Sequence, residues 1–327
     1  MTDCCAASRS SALPPFGTGT GGNEGRWQVP PRRPRGPARA TARTEHVTAK
    51  IPDGRFVMGA VDELSYPGDG EGPLREVELS AFEIDACAVT NEEFAAFVEA
   101  TAYVTESERL GWSFVFAGLL PDDFPPTRAA TDAPWWRQVE VASWHSPEGP
   151  GSDIDARNDH PVVHVSWNDA LAYAEWAGKS LPSEAQWERA ARGELDSQTY
   201  PWGDELTPGG EHRMNVWQGV FPNANTFDDG WYGTCPVDSY EPNGFGLYNA
   251  TGNVWEWCHD WFDVFHDPSP LRDPTGPPDG DLKVLKGGSF LCHESYCLRY
   301  RTAARQGLTP DSATSNTGFR CVRATSR

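Results

Sequence analysis

Lys286-Gly287-Gly288-Ser289-Phe290-Leu291-Cys292-His293-Glu294-Ser295-Tyr296-Cys297-Leu298-Arg299-Tyr300-Arg301 sets two cysteines five positions apart. Paired thiols in a reducing compartment more often bind metal or do redox chemistry than form static staples. Ser289, His293, Tyr296 and two arginines surround them, a polar and partly cationic setting that favours thiolate over thiol. Two soft thiolates select Cu(I) or zinc over hard ions. Tetrahedral zinc needs two further ligands, and no second cysteine or histidine pair stands at suitable spacing. Two-coordinate Cu(I) needs only the sulfurs and leaves room for an incoming thiolate. From the residues alone, a redox or metal pair and a disulfide remain equal alternatives.

Outward from this segment, regular patterns are sparse. Beyond Tyr200, Gly, Pro, Asn and Asp recur every few residues with tryptophans between them; the chain holds 32 Gly, 28 Pro and 14 Trp. Long irregular stretches in a compact domain need a device other than a backbone ladder, and aromatic plugs and bound metal are the candidates. The spacing therefore predicts an α+β fold with low regular secondary structure, in a single domain over residues 47–327. Arg55 to Gly59 reads as a strand, and Val77 to Ile84 alternates like a second. Helices are predicted from Thr90, boxed by Glu93, from Ser166 to a stop at Gly178, and from Ser183, boxed by Gln186, to Gly193.

Residues 1–46 are basic and rich in Ser, Gly, Pro and Arg, and are expected to form a disordered tail dispensable for the core chemistry. The tail carries Cys4 and Cys5. Of 327 residues, 27 are Lys or Arg and 47 are Asp or Glu. Residues 1–50 hold 8 basic and 3 acidic residues, so the remainder carries 19 − 44 = −25. An acidic body repels phosphate backbones, which argues against nucleic acid. No apolar run is long enough to span a membrane, and the N-terminus lacks a secretory signal. A cytoplasmic monomer with mostly reduced cysteines is expected.

Oxygen-rich loops suggest a hard cation. Asn215-Val216, Asp228-Asp229-Gly230-Trp231 and Asn249-Ala250-Thr251-Gly252-Asn253-Val254-Trp255-Glu256 offer the amide, carboxylate and carbonyl oxygens that calcium takes, although such residues also build turns. His160 and His164 lie in a β-branched stretch that reads as a strand, where four residues span about 13 Å, so a shared metal is not expected.

These residues also carry a family resemblance. Phe56-Val57-Met58-Gly59, Pro134-Trp135-Trp136, Pro147-Glu148-Gly149-Pro150, His160 to Ala170, Gly252-Asn253-Val254-Trp255-Glu256-Trp257, Arg299 to Arg305, Thr309 to Ser312 and Gly318 to Cys321 make the chain similar to formylglycine-generating enzymes, from about residue 47 onward. The resemblance implies a variant C-type-lectin-like fold. It implies an oxidoreductase that converts the cysteine of a Cys-x-Pro-x-Arg motif, in a nascent or unfolded sulfatase, to Cα-formylglycine. Cu(I), dioxygen and a thiol reductant are the implied cofactor and co-substrates. Cys292 and Cys297 match the copper-ligating pair; Ser289, Trp255, His293, Tyr296 and Asn316 match residues lining the oxygen and substrate-thiol pocket. Asn215, Val216, Asp229 and Trp231 match one structural calcium site, and Asn249, Gly252, Val254 and Glu256 a second. Ala174 and Thr302 stand where eukaryotic members carry disulfide cysteines, which leaves Cys321 without that partner. Two alternatives share the superfamily. A non-haem iron sulfoxide synthase would need a histidine-rich site, and a non-catalytic lectin-like binding module would not need both cysteines.

Overall fold

A computed structural model describes Ala7 and residues 47–324. The remaining positions, including most of the expected tail with Cys4 and Cys5, lie outside the described residues. Each of the four α-helices in the described part begins at a Ser or Thr whose hydroxyl accepts from the N3 backbone while the N3 side chain reaches back. They are α1 (Asn91–Thr101, cap Thr90), α2 (Glu106–Leu110, cap Thr105), α3 (Trp167–Trp176, cap Ser166) and α4 (Glu184–Arg192, cap Ser183). Reciprocal capping satisfies two orphan N–H groups at each start, which matters most for helices this short. The helices predicted at Thr90, Ser166 and Ser183 are all present. α2 adds a fourth, too short to show periodicity.

Strands form small mixed sheets. Thr48–Ile51, Phe82–Asp85 and Val322–Ala324 make one three-stranded sheet; Leu271–Arg272, Arg75–Leu79 and Gly54–Met58 make another. The alternating run Val77 to Ile84 is therefore two strands in two sheets, broken at Ser80-Ala81. Pro161 to Val165 makes only an isolated bridge from Pro161 to Thr90, and His164 has φ 60°, so this stretch is not the expected strand. The central sheet has the order Arg305–Leu308, Lys283–Lys286, Trp255–Trp261, Thr317–Gly318. Its longest strand is the tryptophan-rich stretch, where signals of regular structure had faded. No helix in the described residues is long and apolar enough to cross a membrane.

Two layers pack on the central sheet. On one side Phe94, Phe97, Tyr173 and Phe319 interlock edge-on and stacked, with centroids 5.3–5.9 Å apart, joining α1 and α3. Such offset aromatic pairs add specific geometry to their large buried area. On the other, α4 lays Ala185, Trp187, Ala190 and Ala191 against the small sheets.

Charges are buried with the apolar groups, and many of them are paired. Arg301 forks onto Glu71 at 2.7 and 2.8 Å, Arg305 onto Glu184 at 2.6 and 2.8 Å, and Arg320 onto Glu256 at 2.6 and 2.8 Å. Glu188 takes Lys286 at 2.9 Å, Arg192 at 2.8 Å and the Gly59 N–H at 2.8 Å. Burial alone would raise the Glu184 carboxyl, but Arg305 and Lys286 hold it down to about 2. Glu188 is held lower still, by Lys286 and Arg192 against the same burial.

Removing one member of such a cluster strands its partners, so Glu188→Gln should cost about 3–5 kcal/mol. Both carboxyls lie below their ordinary 4.5 in the fold. Their contribution is thus present above that value and is lost as pH falls towards about 2. Urea midpoints at pH 5 and pH 3 should show the wild-type protein losing stability on acidification and Glu188→Gln losing less. Equal slopes would mean that the cluster does not govern acid stability.

Candidate active site

The two-cysteine segment leaves the central sheet at Lys286 and doubles back at once. Gly287 and Gly288 have φ of 94° and 74°, and a Cβ on Gly288 would meet the Arg299 carbonyl at 2.6 Å. Only glycine allows the outgoing and returning arms to cross this closely. Two successive turns follow. The Cys292 N–H donates to the Ser289 carbonyl at 2.9 Å, and the Tyr296 and Cys297 N–H groups donate to the His293 carbonyl at 2.9 and 2.7 Å. They bring the Cys292 and Cys297 sulfurs to 3.6 Å, both fully buried. That is far beyond the ~2.05 Å of a disulfide, so the two are not bonded to each other. Cys292 is a thiol, whereas Cys297 is disulfide-bonded.

A cation faces the pair. Arg299 Nη1 lies 3.8 Å from the Cys297 sulfur, while Asp69 fixes the rest of its guanidinium at 2.5 and 3.1 Å and the Tyr66 ring lies under it at 4.3 Å. The Tyr66 hydroxyl also accepts from the Leu298 N–H at 2.9 Å. The cationic setting was legible in the sequence, but Tyr66, Asp69 and Glu71 were missed because they lie about 230 positions away.

Ser289 and Asn316 meet beside the sulfurs. Asn316 Nδ2 donates to Ser289 Oγ at 2.8 Å, and Asn316 Oδ1 accepts from Thr314 at 2.7 Å. The amide is thereby fixed with its donor edge towards the serine. Ser289 N–H points at the Cys292 sulfur at 3.4 Å. Trp255 belongs to the same core cluster as both cysteines, and its indole N–H is buried with no partner in the described residues. An unsatisfied buried donor costs about 1–3 kcal/mol, so its retention in the cluster that holds both sulfurs suits a polar guest. His293 and Tyr296 sit at the rim. His293 Nδ1 accepts from the Ser295 N–H at 3.2 Å, which leaves the proton of the neutral ring on Nε2. Burial lowers the His293 pKa, with Glu294 opposing. Tyr296 stacks on Phe221 at 4.7 Å and meets Trp135 edge-on at 5.0 Å.

The oxygen-rich loops buttress this segment from behind. Asn253 N–H donates to the Asn215 carbonyl at 2.8 Å, Phe290 N–H to the Asn253 carbonyl at 2.9 Å, and Trp217 N–H to the Cys292 carbonyl at 3.0 Å. Around the first expected calcium site, Asp229 accepts from the Val216 and Trp231 N–H groups at 3.0 Å each. Burial still pushes its carboxyl up to about 6, and no Lys or Arg pairs with it in the described residues. A buried carboxylate lacking a cation suits a hard metal. At the second, Asn249 Oδ1 is buried without a partner, and Asn249 and Gly252 have φ of 44° and 75°. Glu256 there already carries Arg320 and the Trp187 indole N–H, the latter at 2.7 Å. The described residues contain no group of three or more His, Cys, Asp or Glu able to hold a metal. A two-sulfur site and a carbonyl-rich site both fall below that count. His160 and His164 bond separately to Thr234 and Ser113, at 2.9 and 2.8 Å.

Comparison with known proteins agrees with this geometry. Residues 35–325 match the sulfatase-modifying factor enzyme 1-like domain. The chain is 59% identical to a formylglycine-generating enzyme of Thermomonospora curvata, over 83% of this chain and 91% of the relative. It is 44% identical to the inactive C-alpha-formylglycine-generating enzyme 2 of Bos taurus, over 85% and 88%. The structure of PvdO from Pseudomonas aeruginosa aligns with TM-score 0.60 and 25% identity, over 85% of this chain and 94% of that one. The architecture of few helices and small mixed sheets is the C-type-lectin-like one, in a single domain. The relatives named formylglycine-generating enzyme support a sulfatase-modifying function. Since a relative named inactive is still 44% identical, activity has to be argued from the site. On the length and identity of these matches, the chain belongs to the sulfatase-modifying factor enzyme 1-like family.

Proposed function

We propose that the protein oxidises the cysteine of a Cys-x-Pro-x-Arg motif in an unfolded sulfatase segment to Cα-formylglycine, with Cu(I) at Cys292 and Cys297. The observation that carries this reading is the pair of fully buried sulfurs 3.6 Å apart beside Ser289, Asn316 and Trp255. A binding module would have no use for that arrangement, and an iron site would need more histidines than stand here. The substrate CH2–SH loses two electrons and two protons to become a thioaldehyde, two thiols supply two more electrons as they form a disulfide, and dioxygen is reduced to two waters; hydrolysis of the thioaldehyde then gives CHO and hydrogen sulfide. Cu(I), which the Cys292 and Cys297 thiolates would hold, would supply electrons to dioxygen. The protein's own groups do the rest.

Ser289, its Oγ oriented by the Asn316 amide, directs its hydroxyl proton at charge developing on oxygen, and the Trp255 N–H is a second donor. Fixed donors in a dry site cost no reorganisation at the moment of reaction. Arg299 favours the thiolate form of Cys297 when that sulfur is reduced. Calcium would be held by Asn215, Val216, Asp229 and Trp231, and by Asn249, Gly252, Val254 and Glu256. Its role is to fix the loops behind Phe290 and Cys292. In the second site Glu256 enters as an oxygen donor rather than as neutralising charge, because Arg320 already balances it. We place the reaction in the cytoplasm, in keeping with the buried thiols of Cys235, Cys258 and Cys321.

Cys292→Ser and Cys297→Ser should each abolish tight Cu(I) binding and the conversion of a Cys-x-Pro-x-Arg peptide, followed by mass spectrometry. Undiminished turnover by Cys297→Ser without copper would rule out the reaction proposed. Ser289→Ala should keep copper binding and lose roughly 10²–10³ in kcat, the scale of one deleted charge-stabilising donor. Chelation with EGTA should lower the melting temperature before it slows the chemical step, since calcium binding only the native state stabilises by mass action. Unchanged melting, with no calcium in the purified protein, would reduce both sites to ordinary turns.

A further inference from the structure

Five arginines among the described residues are at most 4% exposed. Arg192, Arg301, Arg305 and Arg320 each meet a carboxylate at 2.6–2.8 Å. Arg75 pairs with none in the described residues. Its Nη1 donates to the Pro73 carbonyl at 3.3 Å, and the rest of its fork has no acceptor there. Burial pulls its pKa down, while the Glu184 and Glu188 carboxylates oppose from beyond contact. A buried cation is costly unless a counter-charge and hydrogen bonds meet it.

Arg75 lines a cavity of about 80 Å³, several times what one water needs. The cavity lies between the strand Arg75–Leu79, the start of α4 and the chain from Asp260 to Pro277. Met58, Val77, Trp261 and Leu271 give it apolar walls, and no residue of the two-cysteine segment lines it. Asp260 is the acidic group at its inner wall. Asp260 Oδ2 accepts from the Glu184 N–H at 2.9 Å, and Oδ1 accepts from no group in the described residues. Around this wall Arg75, Arg192, Lys286 and Arg305 stand against Glu184 and Glu188. Even with Asp260 ionised, the cluster is one negative charge short. Asp263 and Asp267 also line the cavity, but they already accept from the Phe265 and Ser269 N–H groups in solvent.

We propose that this cavity binds a small monocarboxylate, its oxygens on the free edge of the Arg75 guanidinium and its short apolar tail between Val77, Trp261 and Leu271. A planar fork matches a carboxylate with two parallel bonds, which a spherical halide cannot use. A doubly charged anion would overshoot the single missing charge and face Glu184. Burial and the Glu184 carboxylate push the Asp260 carboxyl up to about 7. Near neutrality its Oδ1 can therefore carry a proton and donate to the guest as a second contact. The site goes beyond the reaction proposed above and does not depend on it.

The wild-type protein, Arg75→Met and Asp260→Asn are titrated with sodium butyrate, butyramide and sodium sulfate at constant ionic strength, and binding is followed by ligand-observed NMR. Butyrate should saturate the wild-type protein with Kd on the order of 1 mM or below. Arg75→Met should bind it at least tenfold more weakly. Asp260→Asn should bind it as the wild type does, because an amide keeps the acceptor for the Glu184 N–H and still offers a donor. Butyramide and sulfate should bind at least tenfold more weakly than butyrate. No saturation by butyrate, equal binding by Arg75→Met, loss of binding in Asp260→Asn, or sulfate as tight as butyrate would each overturn the proposal. Arg75→Met strands no carboxylate and is expected to fold. Should it not, hydrogen exchange of the wild-type protein decides. Butyrate should slow exchange in Arg75–Leu79, at the start of α4 and in Trp255–Trp261, and protection elsewhere or nowhere would overturn the site.

Discussion

Paired charge at zero exposure is the constraint on which this fold rests. The main chain supplies little regular hydrogen bonding, with four short helices and strands of at most seven residues among the described residues. Arg301, Arg305 and Arg320 are each at most 2% exposed and each grips one carboxylate with two donors. Fork-on-fork pairing is directional as well as strong, so it fixes loops that have no ladder. A buried pair is not in itself a large source of net stability, because desolvation consumes much of the Coulomb gain. Its value here is registry. Glu71, Glu184 and Glu256 come from an irregular segment, a helix and a strand, and each holds one arginine of the C-terminal third in a single place.

That registry explains how a reactive segment can be all turns and still be fixed. Lys286, at its start, is tied to Glu188; Arg299 and Arg301, at its end, are tied to Asp69 and Glu71. Between these anchors the chain needs only the two glycines and the turns at Ser289 and His293 to bring sulfur to sulfur. The loops with Asn215 and Asn253 close the back. Every wall of the site is therefore set by a contact distant in sequence, while the sulfur spacing is set locally.

This division decides what could be read from the chain. The helix starts were legible because a capping box is complete within four residues, as at Thr90/Glu93 and Ser183/Gln186. Thr105/Glu108 is the same device before a helix of five residues, too short for a hydrophobic period to mark. The break at Ser80-Ala81 was hidden because alternation continues through the corner from one sheet to the next. His164 defeated the β-branched pattern around it: the loop tucks its ring against Ser113 and forces a left-handed backbone that no local preference signals. Aromatic plugs were expected to hold the irregular part and do. The ion pairs were not expected, since their partners are 64 to 230 positions apart.

The cysteine pair belongs to the legible class, yet its chemistry depends on the illegible one. A five-residue spacing permits a disulfide or a redox or metal pair equally well. What separates them is whether the sulfurs are held apart, near enough to share a guest and too far to bond. The crossing at Gly288 and the turns at Ser289 and His293 set that separation, and the Arg299 side chain anchored on Asp69 and the Asn316 amide on Ser289 stand beside it. Arg299 also places a positive charge 3.8 Å from the Cys297 sulfur. A fold built from helices or a continuous sheet would place the two sulfurs by backbone ladder alone. This one anchors by side-chain pairs the turns that carry them, and so the charge network of the core and the two-sulfur site are parts of a single construction.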